Sequence, residues 1–315
     1  MSNAKCGLQS LKIEKTSFLD MNKIVKMTFS YHGEDPKFQE ILSNPVKLFF
    51  YRLFGPLYVW LKFESYKAVV SARTVGYMLL KHQVHGKSSM HIWDIAVNPE
   101  FRGTGIGTSL MMFAEKIAEG KYQYLTLAVM ENNTGALKLY QKLGYRNLLD
   151  SPICFRIRKI PSRTSSWNTI KLQSISGDES LSCRNAHLST VVQAVSGFDG
   201  QKIYQSLYLP RKLQRGIDRF KIVISSKEAG YISVEHKKNP IPVFFVLHPD
   251  FWETEAEAEV IKKIMDYLAK ASKDQIEMYV MQAYEKSFTK ALDKIDCVSE
   301  RMTGRLSLVK KLEEI

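Results

Sequence analysis

Three glycines at alternate positions behind an arginine, Arg102-Gly103-Thr104-Gly105-Ile106-Gly107, constrain this chain more than any other stretch. An apolar run, Ile92 to Val97, precedes them through an Asn98-Pro99 turn; Thr108 to Phe113 follows with helical patterning. The order is that of a strand, a turn and the N-terminus of an amphipathic helix. Glycine lets the backbone approach a ligand closely and take torsions other residues avoid. The first-turn amides and the positive end of the helix dipole attract phosphate, and Arg102 adds a charge able to fork onto phosphate oxygens.

The spacing excludes two common phosphate loops. A dinucleotide fingerprint needs Gly-x-Gly-x-x-Gly, and a Walker loop needs a Lys before Ser or Thr. The arrangement Ala-Val-x-Pro followed by Arg-x-x-Gly-x-Gly resembles the GNAT superfamily of acyl-CoA-dependent N-acyltransferases. A second stretch supports the resemblance. Tyr124 to Val129 reads as a strand, Asn132-Asn133-Thr134 as a helix cap, and Ala136, Tyr140 and Leu143-Gly144-Tyr145 follow at the spacing of that family's second signature.

The resemblance implies an α/β (α+β) fold, with a mixed, mostly antiparallel sheet flanked by helices, and acetyl-CoA as cosubstrate. It implies that backbone groups of Ile95, Ala96 and Val97 bind the pantetheine and thioester, and that the amides of Arg102, Gly103, Thr104, Gly105, Ile106 and Gly107 hold the pyrophosphate. Asn133 and Ala136 would meet the cofactor beyond the strand. Tyr140 would protonate the departing thiolate. His91, six residues before Val97, is the first choice of base, its imidazole titrating near neutrality; Asp94 and Glu131 are weaker choices. Strict alternation would put His91, Trp93, Ile95 and Val97 on one face of the strand, and Ile92, Asp94 and Ala96 on the other.

The second half carries a faint copy of the first. Leu247-His-Pro-Asp-Phe-Trp-Glu-Thr-Glu-Ala-Glu257 matches Val97 to Gly107, between a strand-like Val243 to Leu247 and a helix-like Val260 to Leu268. Trp252 stands at the place of Arg102, and Glu253, Glu255 and Glu257 at those of the three glycines. The reading is a duplicated fold: a catalytic domain at residues 1–160 and a degenerate, GNAT-like domain without the CoA loop at 161–315, joined at Pro161 to Ser166. An unrelated α+β domain with a chance match is the alternative.

The net charge of +13 lies mostly on the first half, where residues 1–160 hold 22 Lys and Arg against 12 Asp and Glu. Such a field steers an anionic ligand, and no nucleic-acid module accompanies it. Cys6, Cys154, Cys183 and Cys297 show no metal-ligand spacing, so no metal is expected, and they read as reduced thiols of a cytoplasmic protein. The segment Val46 to Phe63 is dense in aromatics and broken by Gly55-Pro56. It reads first as core helix, turn and strand, second as a lid or apolar acceptor pocket, and last as a membrane-contacting face; peripheral membrane contact is not expected. The function expected is transfer of an acetyl group to a primary amine by direct attack in a ternary complex, by a monomer or homodimer. The alternative is a non-catalytic acyl-CoA sensor or interaction protein.

Overall fold

The computed structural model describes residues 10–32, 41, 43–82, 89–149, 151–159, 167–199, 216–269 and 275–312. Residues 33–40, residues 83–88 and the expected 161–166 linker lie outside them. In chain order the first half gives β1 (Lys12–Lys15), α1 (Met21–His32), α2 (Pro45–Lys62), β2 (Glu64–Val70), β3 (Arg73–His82), β4 (Ser89–Val97), α3 (Ile106–Ala118), β5 (Tyr124–Met130), α4 (Thr134–Lys142), β6 (Arg146–Asn147) and β7 (Pro152–Lys159). The second half gives β8 (Ile170–Ser174), α5 (Gly177–Ser196), β9 (Ile217–Ile224), β10 (Lys227–Glu235), β11 (Ile241–Leu247), α6 (Glu255–Ala269), β12 (Ile276–Met281), α7 (Glu285–Lys294), β13 (Val298–Arg301) and β14 (Arg305–Lys311). Among the described residues, the second series repeats the first element for element apart from α2.

The strands form two seven-stranded sheets, β1-β2-β3-β4-β5-β14-β6 and β13-β7-β12-β11-β10-β9-β8. Each is antiparallel except for one parallel pair among the registered ladders, β4 with β5 and β11 with β12. That is the mixed, mostly antiparallel α/β architecture expected. One strand is placed differently. The segment from Pro152, which falls within residues 1–160, lies in the second sheet, where β7 pairs with β12 from Met281↔Pro152 to Ile276↔Ile157 and with β13 on its other edge. The reason is burial. Ile153, Phe155 and Ile157 are all but inaccessible and share one core with Met278, Val280 and Phe288. By compactness the chain divides into Met1–Leu127 with Lys310–Ile315, and Ala128–Val309.

In the first unit, α3 buries Ile106, Leu110, Met111, Ala114 and Ala118, the helical stripe the sequence shows, each large side chain contributing about 1.5–3 kcal/mol. On the other side Met21, Ile24, Val25 and Val59 pack with Tyr77, Leu79 and Ala96. A Cβ on Gly76 would stand 2.9 Å from Ala96 O, so glycine is required for the close approach of β3 to β4. In the second unit Gly230, opposite Leu247 as Gly76 is opposite Val97, shows the same contact at 2.4 Å from Val246 O.

The segment Val46 to Phe63 corrects the reading of helix, turn and strand. It is one helix of 18 residues running through Gly55-Pro56, capped by Asn44, whose side chain accepts from the amides of Val46 and Lys47. The ring of Pro56 removes a hydrogen-bond donor without breaking the helix because Gly55, Pro56 and Val59 are clamped in a buried stripe. No helix among the described residues is long and apolar enough to cross a membrane.

Candidate functional site

Two irregularities in β4 build the site. Pairing with β3 runs His82↔Met90, Lys81↔His91, Leu80↔Ile92, then Leu79↔Asp94. Trp93 is the extra residue, a β-bulge, and is half exposed. The parallel ladder with β5 ends at the same place, running only from Ser89↔Tyr124 to Ile92↔Leu127. From Trp93 onward β4 keeps its ladder to β3 and leaves its registered ladder to β5, so the edge carrying Ile95, Ala96 and Val97 opens away from its neighbour. Such an edge offers backbone donors and acceptors to an extended ligand.

The bulge also corrects the expected faces. Opposed residues of an antiparallel pair share a face, so His91, Asp94 and Ala96 lie together with Lys81, Leu79 and Tyr77. Ile92, Ile95 and Val97 lie on the other side.

Beyond Val97, Asn98 accepts from Glu100 N–H at 3.1 Å and opens the short 3-10 turn Pro99–Phe101. Arg102 Nε donates to Val97 O at 3.3 Å and Thr104 Oγ1 to Phe101 O at 2.7 Å, tying the loop to the strand end. Gly103 has φ 77° and Gly105 φ 91°, left-handed conformations that favour glycine. Gly105 is the N-cap of α3 and brings no side chain to the cap. The amides of Ile106, Gly107 and Thr108 have no acceptor within the helix by geometry alone. The first turn carries no acid, and Arg102 is exposed. The six residues read as a phosphate cradle thus form one loop at a helix N-terminus.

His91 Nδ1 lies 2.9 Å from Thr126 Oγ1. Burial, and then the charge of Lys81, push its pKa down to about 4, so the ring is neutral at physiological pH and a weak base. Asp94 accepts from the Tyr77 hydroxyl at 2.7 Å, and Thr28 donates to that same hydroxyl at 2.8 Å. Burial and the nearby carboxylate hold the Tyr77 phenol well above its usual range, so it stays a donor.

The second unit carries the remaining residues. Asn133 accepts from Ala136 N–H at 3.2 Å and caps α4. Tyr140 is buried, its ring 6.1 Å from that of Tyr145. Glu131 is tied to Arg301 by two hydrogen bonds of 2.7 and 2.9 Å, and receives Gly304 N–H at 3.3 Å. Those bonds hold its carboxyl below the usual range and commit it to structure.

The loop at Leu247 in the second unit repeats the first. Its 3-10 turn is Pro249–Phe251. Trp252 Nε1 donates to Leu247 O at 3.0 Å, where Arg102 binds Val97, and Thr254 Oγ1 donates to Phe251 O at 2.7 Å. The acids at the glycine positions do more than fill space. Glu253 takes the left-handed φ of 58°, and its N–H donates to Glu257 Oε2 at 2.7 Å. Glu257 is fully buried and also accepts from Ser287 Oγ at 2.7 and 2.8 Å. A carboxylate from the first turn of α6 is therefore folded back onto the loop that leads into the helix. Near the end of α7, Cys297 N–H donates to Leu292 O at 3.1 Å, as Tyr145 N–H does to Tyr140 O at 3.0 Å, which puts Leu292 at the place of Tyr140. Sequence reasoning saw the three glutamates but not that one of them would turn inward.

A further cluster joins Cys183, His187 and Glu228, whose ligand atoms all lie within 4.8 Å of one another. The thiol and the imidazole both sit on Glu228 Oε1, at 3.4 and 3.1 Å. Burial and Glu228 push the Cys183 thiol up to about 12, so these side chains satisfy one another by hydrogen bonds.

The sequence profile of the acetyltransferase (GNAT) family matches residues 26–145. The chain is 36% identical over 76 residues to the catalytic subunit of an N-terminal acetyltransferase B complex from Arabidopsis thaliana, covering 23% of this chain and 44% of that protein. It is 33% identical over 107 residues to human N-alpha-acetyltransferase 30, covering 33% of this chain and 29% of that one. The matches therefore span less than half of these relatives. The crystal structure of a GCN5-related N-acetyltransferase from Sphaerobacter thermophilus aligns over 96% of both chains with a TM-score of 0.50 at 13% identity, a likeness of fold. Residues 26–145 of this chain belong to the acetyltransferase (GNAT) family.

Proposed function

We propose that the chain is an N-acetyltransferase, moving the acetyl group of acetyl-CoA to a primary amine by direct attack within a ternary complex. The observation that carries this reading is the β4 edge leaving β5 at Ile92 and leading into the glycine N-terminus of α3. The amides of residues 102–107 hold the pyrophosphate, and Arg102 adds its charge. Backbone groups of Ile95, Ala96 and Val97 hold the pantetheine arm, and an N–H there stabilises the oxyanion as the amine attacks. Asn133 and Ala136 meet the cofactor further on. Tyr140 gives its proton to the leaving thiolate.

The amine must also lose a proton. His91 was the first choice from the sequence, but with a pKa near 4 it serves as a hydrogen-bond acceptor better than as a base. Asp94, on the same face after the bulge, is the stronger choice for receiving the proton. The similar proteins include two N-terminal acetyltransferases by name, so peptide α-amines head the acceptor screen. The half containing residues 161–315 is read as a degenerate copy that does not take CoA.

Calorimetric titration with acetyl-CoA tests the reading. One site per chain is expected. Two would mean that the loop at Glu257 also binds, and no binding by folded protein would sink the assignment.

A further inference from the structure

The helix α2 presents an apolar face to solvent. Its buried stripe is narrow, consisting of Gly55, Pro56 and Val59. Around the rest of the helix, Phe49, Phe50, Leu53, Leu57, Trp60 and Leu61 recur three and four residues apart and so share one broad face. They are between 43% and 64% exposed. Phe18, which precedes α1, extends the patch, its ring edge-on to Trp60 at 5.8 Å and itself about half exposed. Soluble chains scatter single apolar residues on their surface; a continuous aromatic patch marks a contact.

Charge identifies the contact. From residue 41 to residue 63 there are three cations, Lys47, Arg52 and Lys62, and no acid. Arg52 and Lys62 are exposed. A protein partner would have to answer the aromatic face with its own apolar face and also bring acids to Arg52 and Lys62 at its rim. A second copy of this chain would bring the same positive charges against them. An anionic lipid surface takes both parts, rings and leucines into the acyl boundary and cations onto the headgroups. The helix is not long and apolar enough to span, which fits a helix lying in the interface plane.

We propose that α2 is a peripheral membrane anchor that docks the protein on anionic lipid bilayers. This reverses the expectation from sequence, in which 46–63 was core first and membrane last, because the face that periodicity would have buried is exposed. It does not depend on acyl transfer, which is assayed separately in solution.

The test is flotation of the full chain with phosphatidylcholine vesicles, with and without a minority of phosphatidylglycerol. The expected result is co-flotation with the anionic vesicles, weakened by salt, with a blue shift of tryptophan emission that Trp60→Phe reduces. Leu53→Glu removes binding, and Arg52→Glu with Lys62→Glu lowers it about tenfold or more, while far-UV circular dichroism stays as in the parent. Failure of the folded parent to float with anionic vesicles overturns the proposal, as does flotation unaffected by Leu53→Glu. Concentration-dependent dimerisation in the absence of lipid, abolished by Leu53→Glu, would assign the face to a second copy and overturn it equally.

Discussion

The loops that begin at Val97 and at Leu247 share a skeleton and differ in what meets the helix N-terminus. Both leave a strand through a proline-started 3-10 turn. Both tie a long side chain back to the strand end and a threonine back to a phenylalanine carbonyl. The first then runs on glycine into α3; the second runs on glutamate into α6 and folds Glu257 onto the amide of Glu253. Upstream, β4 carries a bulge at Trp93 and parts from β5 at Ile92. Its counterpart β11 pairs with β10 without a bulge and stays with β12 as far as Phe244. The same frame thus supports an open anion site or a closed loop, and the three glycine positions, Arg102 against Trp252 and one inserted residue are among the differences between the two.

The comparison breaks most plainly if the first loop is converted into the second. Gly103→Glu with Gly107→Glu is expected to weaken acetyl-CoA binding by about a hundredfold or more, by placing like charge beside a pyrophosphate. The fold is expected to hold, because a Cβ on Gly103 meets nothing within 4 Å and Glu253 tolerates the same left-handed backbone. Retained affinity in calorimetry would mean that the loop is not the phosphate cradle.

The reverse change probes the internal carboxylate. Glu257→Ala removes the buried carboxylate that accepts from the Ser287 hydroxyl, leaves the Glu253 amide with Ser287 Oγ alone at 2.9 Å, and is expected to cost about 2 kcal/mol of stability in urea unfolding. Added inorganic phosphate should restore part of it, since an anion can then reach the helix N-terminus.

Tyr140 and its counterpart Leu292 sharpen the contrast in chemistry. Tyr140→Phe is expected to lower turnover about tenfold or more with acetyl-CoA affinity unchanged. Unchanged turnover would remove Tyr140 from its role.

The smallest effect is one of pH. The His91 ring titrates at about 6.5 when unfolded and about 4 in the native chain, lowered by burial first and Lys81 second. Protons therefore load onto the unfolded chain first. Stability should be flat above pH 6.5 and fall on the order of 1 kcal/mol or more between about 6.5 and about 4. His91→Asn should flatten that slope.

What could be read from sequence follows from range. The glycine loop, the Asn133 cap and the α3 stripe depend on neighbours within a few positions, and each stands where the residues put it. The repeat was legible because Pro249, Phe251 and Thr254 keep loop roles in both copies. The bulge was not, since Trp93 continues an alternating pattern and only the register of β3 reveals the extra residue. Nor was the turn of Glu257, which depends on Ser287 in another helix. The continuity of α2 through Gly55-Pro56 is likewise set by what clamps its buried stripe, not by its own propensity.

The place of β7 has a consequence for how the chain is made. Ile153, Phe155 and Ile157 leave the ribosome well before Ile276 and Val298 begin the strands that cover them. Until then an apolar strand waits with both hydrogen-bonding edges open, the situation most prone to pairing with another nascent chain. Translation arrested before β12 would leave this hazard in place, because β12 and β13 supply both ladders of β7.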